Sequence, residues 1–152
     1  CLGALDAWLV IRGIKTLPLR MEQHQKNAFA IAKWLQEQPR VQYILYPGLE
    51  NHPGYEINKA QTTGFGGMIS FAVDSAETAR QILEGVKLIK FAESLGGTES
   101  LITYPIRQTH TDLTAEECAE KGITDCLLRF STGIEATQDL IDDLAQAFAA
   151  VE

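Results

Sequence analysis

Leu5, Trp8 and Leu9 fall on one face of a short helix expected over Ala4 to Arg12, which Gly13 interrupts. From Thr16 to Gln38 the apolar positions Leu17, Met21, Ala28, Ile31, Ala32 and Leu35 recur at helical spacing. Thr16 is placed to cap that helix, and Pro18 falls in the first turn, where its missing N–H costs little. Such a helix would run roughly 33 Å at 1.5 Å per residue. That exceeds what a compact domain of this size needs, so the helix is expected to lie along a boundary with another domain.

Pro39 ends the helical pattern, Val41 to Tyr46 has strand composition, and Tyr46 to Gly54 is a loop dense in turn formers. A polar, helical stretch leads to Gly64-Phe-Gly-Gly67. The run Met68 to Val73 after these glycines is a strand, whereas a phosphate cradle needs a strand before and a helix after. The glycines therefore read as a backbone turn into the strand. Asp74 with Glu77 is a capping-box signature for a helix through about Glu84, with Ala79, Ile82 and Leu83 inward. Leu88 to Ala92 and Ser100 to Tyr104 read as strands. Thr114 with Glu117 starts another short helix that Gly122 closes, and Cys126 to Phe130 is the last strand. In the final helix, Thr137 to Val151, Leu140, Ile141, Leu144, Phe148 and Val151 share a face. Asp139, Asp142 and Asp143 favour its amino end through the helix dipole.

Strands and helices mix without strict alternation, and no internal repeat is present. The fold class expected is α+β: a mostly antiparallel sheet with helices on one face and a long helix leading in. Residues 1–15 are expected to form a docking helix segment and residues 16–152 the domain proper.

With 152 residues, 45% of them hydrophobic, the chain can bury one core. A net charge of −7 and a pI near 5.0, with no basic cluster, argue against nucleic-acid or membrane partners. No apolar run approaches the roughly 20 residues that span a bilayer. The expected setting is soluble and cytoplasmic. Cys1, Cys118 and Cys126 have neither zinc-site nor redox spacing and read as reduced thiols. Cys1 as a first residue suits a piece of something longer.

The candidate chemistry centres on Arg129. On the last strand Leu127, Arg129 and Ser131 face one way and Cys126, Leu128 and Phe130 the other. A guanidinium offers parallel donors to a carboxylate, and a structural ion pair with a nearby acid is the alternative. The loop Glu93-Ser-Leu-Gly-Gly97 adds backbone N–H groups and the Ser94 hydroxyl, neutral donors that suit an α-carboxylate beside a cation. Ser94 is a poor hydrolytic nucleophile, because Gly-x-Ser-x-Gly is absent and no base is marked. His24, His52 and His110 read as surface or capping groups, and no spacing supports a metal.

A series of segments in order along nearly the whole chain resembles one enzyme family. They include Asp6 to Leu17, Tyr46-Pro-Gly48, His52-Pro-Gly54, Gly64-Phe-Gly-Gly-Met68, the Ser94 loop, Thr109-His110, Gly122-Ile-Thr-Asp125 and Leu127 to Glu135. The family is the trans-sulfuration enzymes that use pyridoxal phosphate, and the resemblance is to their carboxy-terminal domain. It implies that Arg129 pairs with the substrate α-carboxylate, that Ser94 shares that contact, that Thr109 helps hold the arginine, and that Glu93 lies near the substrate's distal end. It also implies that pyridoxal 5'-phosphate is bound by a large amino-terminal domain whose motifs are not found in this sequence. Lys15, Lys26, Lys33, Lys59, Lys87, Lys90 and Lys121 all lack the context of the Schiff-base lysine, so no catalytic, cofactor or metal residue is nominated.

The resemblance further implies a small-molecule amino-acid substrate, a homotetramer at full length, and inactivity of this piece alone. Cystathionine γ-synthase and β-lyase are the reactions expected, with cystathionine γ-lyase and methionine γ-lyase as alternatives within the family. Leu95, where some β-lyases carry an aromatic residue, leans toward the γ-synthase and γ-lyase side. The rival reading from another class is a stand-alone amino-acid-binding module without cofactor.

Overall fold

The computed structural model describes residues 1–109 and 112–151. His110 therefore lies outside the described residues. Helix α1 (Ala4–Ile14) runs straight through Gly13, so the interruption expected there does not occur. A glycine inside a helix costs only about 1 kcal/mol. The break comes instead at Lys15 and Thr16, because Pro18 has no N–H to offer the Ile14 carbonyl and its ring crowds it. Thr16 makes no side-chain cap for α2 (Leu17–Gln36); its hydroxyl donates back to the Gly13 carbonyl at 3.3 Å.

Strand β1 (Val41–Leu45), helix α3 (Tyr55–Gln61), strand β2 (Met68–Val73) and helix α4 (Ala76–Gly85) follow in order. The cap of α4 is Ser75, which accepts from the Thr78 N–H at 3.0 Å, and not Asp74 as the sequence pattern predicts. Asp74 instead accepts from the Thr78 hydroxyl at 2.6 Å and pairs with Arg40. The strand expected over Leu88 to Ala92 shrinks to β3 (Lys90–Phe91). Strand β4 (Leu101–Thr103), a single 3-10 turn (Pro105–Arg107), helix α5 (Ala115–Glu120), strand β5 (Leu127–Ser131) and helix α6 (Thr137–Ala149) complete the chain. The capping box between Thr114 and Glu117 forms as expected.

The five strands make one sheet in the order β1-β2-β5-β4-β3, antiparallel except for the β4/β3 pair. Helix α6 packs against both α2 and α4, and α2 and α4 also contact the sheet. Ile69, Phe71, Ile102, Leu128 and Phe130 point into the core beneath them, with Ala28, Ile31 and Leu35 of α2 and Leu140 and Leu144 of α6 opposite. Trp34 meets Phe148 edge to face at 5.4 Å across the α2/α6 seam. Strand alternation sends Ser70, Thr103, Arg129 and Ser131 to the sheet's other face.

Two polar residues go where the sequence reading did not put them. His24 is only 3% exposed, and its Nδ1 lies 2.5 Å from the Thr132 carbonyl, so the Nδ1–H tautomer donates there. It sits four residues before Ala28 and seven before Ile31, on the buried stripe of α2. Asp143 does not serve the dipole of α6. It is buried, and its carboxylate accepts the backbone N–H groups of Lys87, Leu88 and Ile89 at 2.8 to 2.9 Å. These bonds hold the chain as it leaves α4 for β3.

Candidate functional site

The site lies on the sheet face that the helices leave uncovered. Antiparallel register places Arg129 of β5 between Ser70 of β2 and Thr103 of β4. A loop from Ala92 to Gly97 folds over this corner and is tied to it at successive points. Ala92 donates its N–H to the Ile102 carbonyl at 3.1 Å and accepts the Thr103 hydroxyl at 2.6 Å. The Glu93 carbonyl accepts Arg129 Nη2 at 2.6 Å. Gly96, whose φ of 75° suits glycine, donates its N–H to Ser131 Oγ at 3.0 Å. The local sequence explains this path: after the two-residue edge strand, the glycines let the backbone bend back toward β5.

Arg129 Nη2 also reaches Thr103 Oγ1, at 3.4 Å. Both protons of that nitrogen are thereby directed at the protein. The Nε and Nη1 protons, three in all, have no partner among the described residues. Nor does any carboxylate pair with this guanidinium among the described residues, where the ion pairs are Arg40–Asp74, Arg80–Glu77 and Arg80–Glu84. The structural ion pair weighed as the alternative for Arg129 is absent among the described residues. A half-buried cation with three uncommitted protons and no counter-ion among the described residues attracts an anion.

Glu93 and Ser94 are both exposed on the loop beside Arg129, and Glu93 meets the arginine through its backbone carbonyl. Thr109 is exposed just beyond the 3-10 turn. The hydroxyl that contacts Arg129 at 3.4 Å is Thr103, which sequence reasoning passed over. The alternation of Leu101-Ile-Thr103 shows only that Thr103 faces away from Ile102. Its position beside Arg129 depends on a pairing register that no local pattern states.

Other titratable groups have local partners or perturbations of their own. His52 acts as a turn cap, its Nδ1 accepting the Gly54 N–H at 3.0 Å. Burial and the adjacent Asp125 push the Cys126 thiol above its ordinary pKa, which disfavours the thiolate. The three cysteines are unpaired. Among the described residues no group of three or more His, Cys, Asp or Glu side chains could hold a metal ion. No described helix is long and apolar enough to cross a membrane.

A strand arginine and a glycine-containing loop thus meet on the sheet face opposite the α2/α4/α6 layer of an α+β domain. The chain belongs to the Cys/Met metabolism PLP-dependent enzyme family, whose family model matches residues 1–149. It is 52% identical over 146 residues to cystathionine γ-lyase of Bacillus subtilis, covering 96% of this chain and 38% of that protein. It is 51% identical over 148 residues to cystathionine γ-synthase of Haemophilus influenzae, covering 97% and 36%. The fold superposes with a TM-score of 0.93 on cystathionine γ-lyase from Lactobacillus plantarum complexed with L-serine, at 41% identity, over 99% of this chain and 39% of that one. The chain thus spans well under half the length of the relatives it matches.

Pyridoxal phosphate, which the family requires, does not fit the residues gathered here. Its aldehyde needs a lysine amine, and the cation of this corner is a guanidinium. Lys26 and Lys33 line a separate groove between α2 and the loop after β1, Lys59 lies over the Tyr55 ring, and Lys90 Nζ donates to the Lys87 carbonyl. The corner offers N–H donors to an anion, and no lysine amine for the cofactor aldehyde has been placed in it among the described residues.

Proposed function

We propose that this chain is the substrate-carboxylate-binding domain of a trans-sulfuration enzyme, with the pyridoxal-phosphate lysine supplied by sequence outside these 152 residues. The observation that carries the reading is that the Nε and Nη1 protons of Arg129, on the strand beside the Ser94 loop, meet no acceptor among the described residues. A carboxylate received there takes a charge-assisted N–H donor from the uncommitted protons of the guanidinium, while the Ser94 hydroxyl is at hand on the loop. Thr109 would add a further contact to the arginine, and Glu93 would face the distal end of the substrate. Anchoring one end of the amino acid limits its rotation and so fixes which bond is presented for reaction. Arg129 therefore contributes position, not proton transfer.

The substrates of this reading are sulfur amino acids, and the reactions are γ-replacement or β/γ-elimination in an assembly of four chains. The exposed, aliphatic Leu95 leans toward γ-chemistry. In the complete enzyme Arg129→Ala should raise the KM for cystathionine by roughly a hundredfold with a smaller change in kcat, the cost of truncating one partner of a desolvated charge pair. Cofactor absorbance should be unchanged. An unaltered KM would remove Arg129 from this role.

A further inference from the structure

We infer that Thr103 is a positioning residue that sets the guanidinium of Arg129 for carboxylate binding; this rests on the carboxylate reading above. The Thr103 side chain is only 1% exposed. Its hydroxyl carries one proton, and that proton is committed to the Ala92 carbonyl at 2.6 Å. The oxygen can then act only as an acceptor toward Arg129 Nη2, 3.4 Å away. The neighbouring carbonyl, Glu93, takes the other bond from Nη2 at 2.6 Å. Consecutive carbonyls of the loop are thus clasped by Thr103 and by Arg129, and Thr103 touches both the loop and the arginine. A hydroxyl is the smallest group that can donate to one and accept from the other.

The clasp divides the guanidinium. Nη2 faces the protein, and the Nε and Nη1 protons, which lie on opposite sides of the group, are left for a ligand, with Nη1 at its outer end. Without the hydroxyl, Nη2 keeps one acceptor and the plane of the group is free to swing. Ala92 loses its partner too, which loosens the segment leading to Ser94. The loss should be felt by ligands with a carboxylate and not by those without one.

The test uses the complete enzyme with its cofactor and two probes that carry no leaving group, glycine and glycinamide, in the second of which a neutral amide replaces the carboxylate. Thr103→Val conserves volume and β-branching, and Thr103→Ser keeps the hydroxyl. Thr103→Val should weaken glycine binding about tenfold, the scale of one lost hydrogen bond to a charged group, and leave glycinamide binding unmoved. It should raise the substrate KM by a similar factor with kcat within about twofold, and Thr103→Ser should restore both. Arg129→Ala is measured alongside. If Arg129→Ala weakens glycine and Thr103→Val does not, the positioning role fails and the carboxylate site stands. If Arg129→Ala leaves glycine binding unchanged, the carboxylate reading itself fails. Equal weakening of glycine and glycinamide by Thr103→Val would show a general structural role and overturn the inference.

Discussion

Arg129 was legible as a candidate because a lone guanidinium amid apolar strand residues must find an anion or a dipole, and the two-glycine loop supplied a second hint. What holds it was not legible, since Thr103 and the Glu93 carbonyl reach it only through sheet pairing. Tyr46 gives a second expectation at this scale. It is fully buried, its hydroxyl donates to the Gly66 carbonyl at 3.0 Å, and burial pushes its pKa from 10.0 to about 12. A folded pKa raised above the unfolded one means stability that is fully present below pH 10 and lost as pH rises toward 12. Alkaline titration followed by tyrosinate absorbance should show Tyr46 ionising late, alongside Tyr104, whose pKa burial and Asp125 also raise, and Tyr46→Phe should flatten the stability loss in the window between pH 10 and 12. A third expectation concerns Gly133, whose N–H donates to Ser100 Oγ at 2.8 Å. A Cβ there would stand 2.5 Å from the Thr98 carbonyl oxygen, too close for backbone to yield. Gly133→Ala should therefore lower the urea midpoint by the equivalent of about 2 kcal/mol or more.

Among the elements, the helices were read well because their apolar spacing is local, and their ends less well because several residues compete for each cap. At the start of α4 both Asp74 and Ser75 can cap; Ser75 takes the backbone N–H, while Asp74 is drawn to the Thr78 hydroxyl and Arg40. At α5 one candidate stands alone and the capping box forms, so Thr114→Ala should cost about 1 kcal/mol by urea denaturation. Asp143 is the opposite case, a residue whose local reading is plausible and whose real partners lie 54 to 56 positions away. Asp143→Ala strands three backbone donors and should destabilise the chain by about 3 kcal/mol, several times the Thr114→Ala effect. Equal costs for the two would contradict the burial of that carboxylate. The shortened β3 has a similar origin: the bonds to Asp143 from residues 87–89 replace the ladder that their sequence suggests.

For the whole molecule, the most uneven feature is α1, which contributes no buried residue while Leu5 and Trp8 stand 68% and 56% exposed. Removing residues 1–14 should change the unfolding free energy of the remainder by less than about 1 kcal/mol, measured by urea denaturation, because little packing is lost. A larger loss would show that α1 supports the core. The sequence by itself determined the α+β class, the order of its helices and strands, the inward faces of those helices, and the place of Arg129 on the last strand. Each of these depends on spacing within a few residues, where chain sterics and the contrast between apolar and polar side chains act directly. Tertiary structure alone decided the strand order β1-β2-β5-β4-β3, the parallel edge pair, the burial of His24 and Asp143, and the placement of Thr103 beside Arg129. Those rest on hydrogen bonds between segments far apart in the chain, whose register is chosen by how the whole core packs.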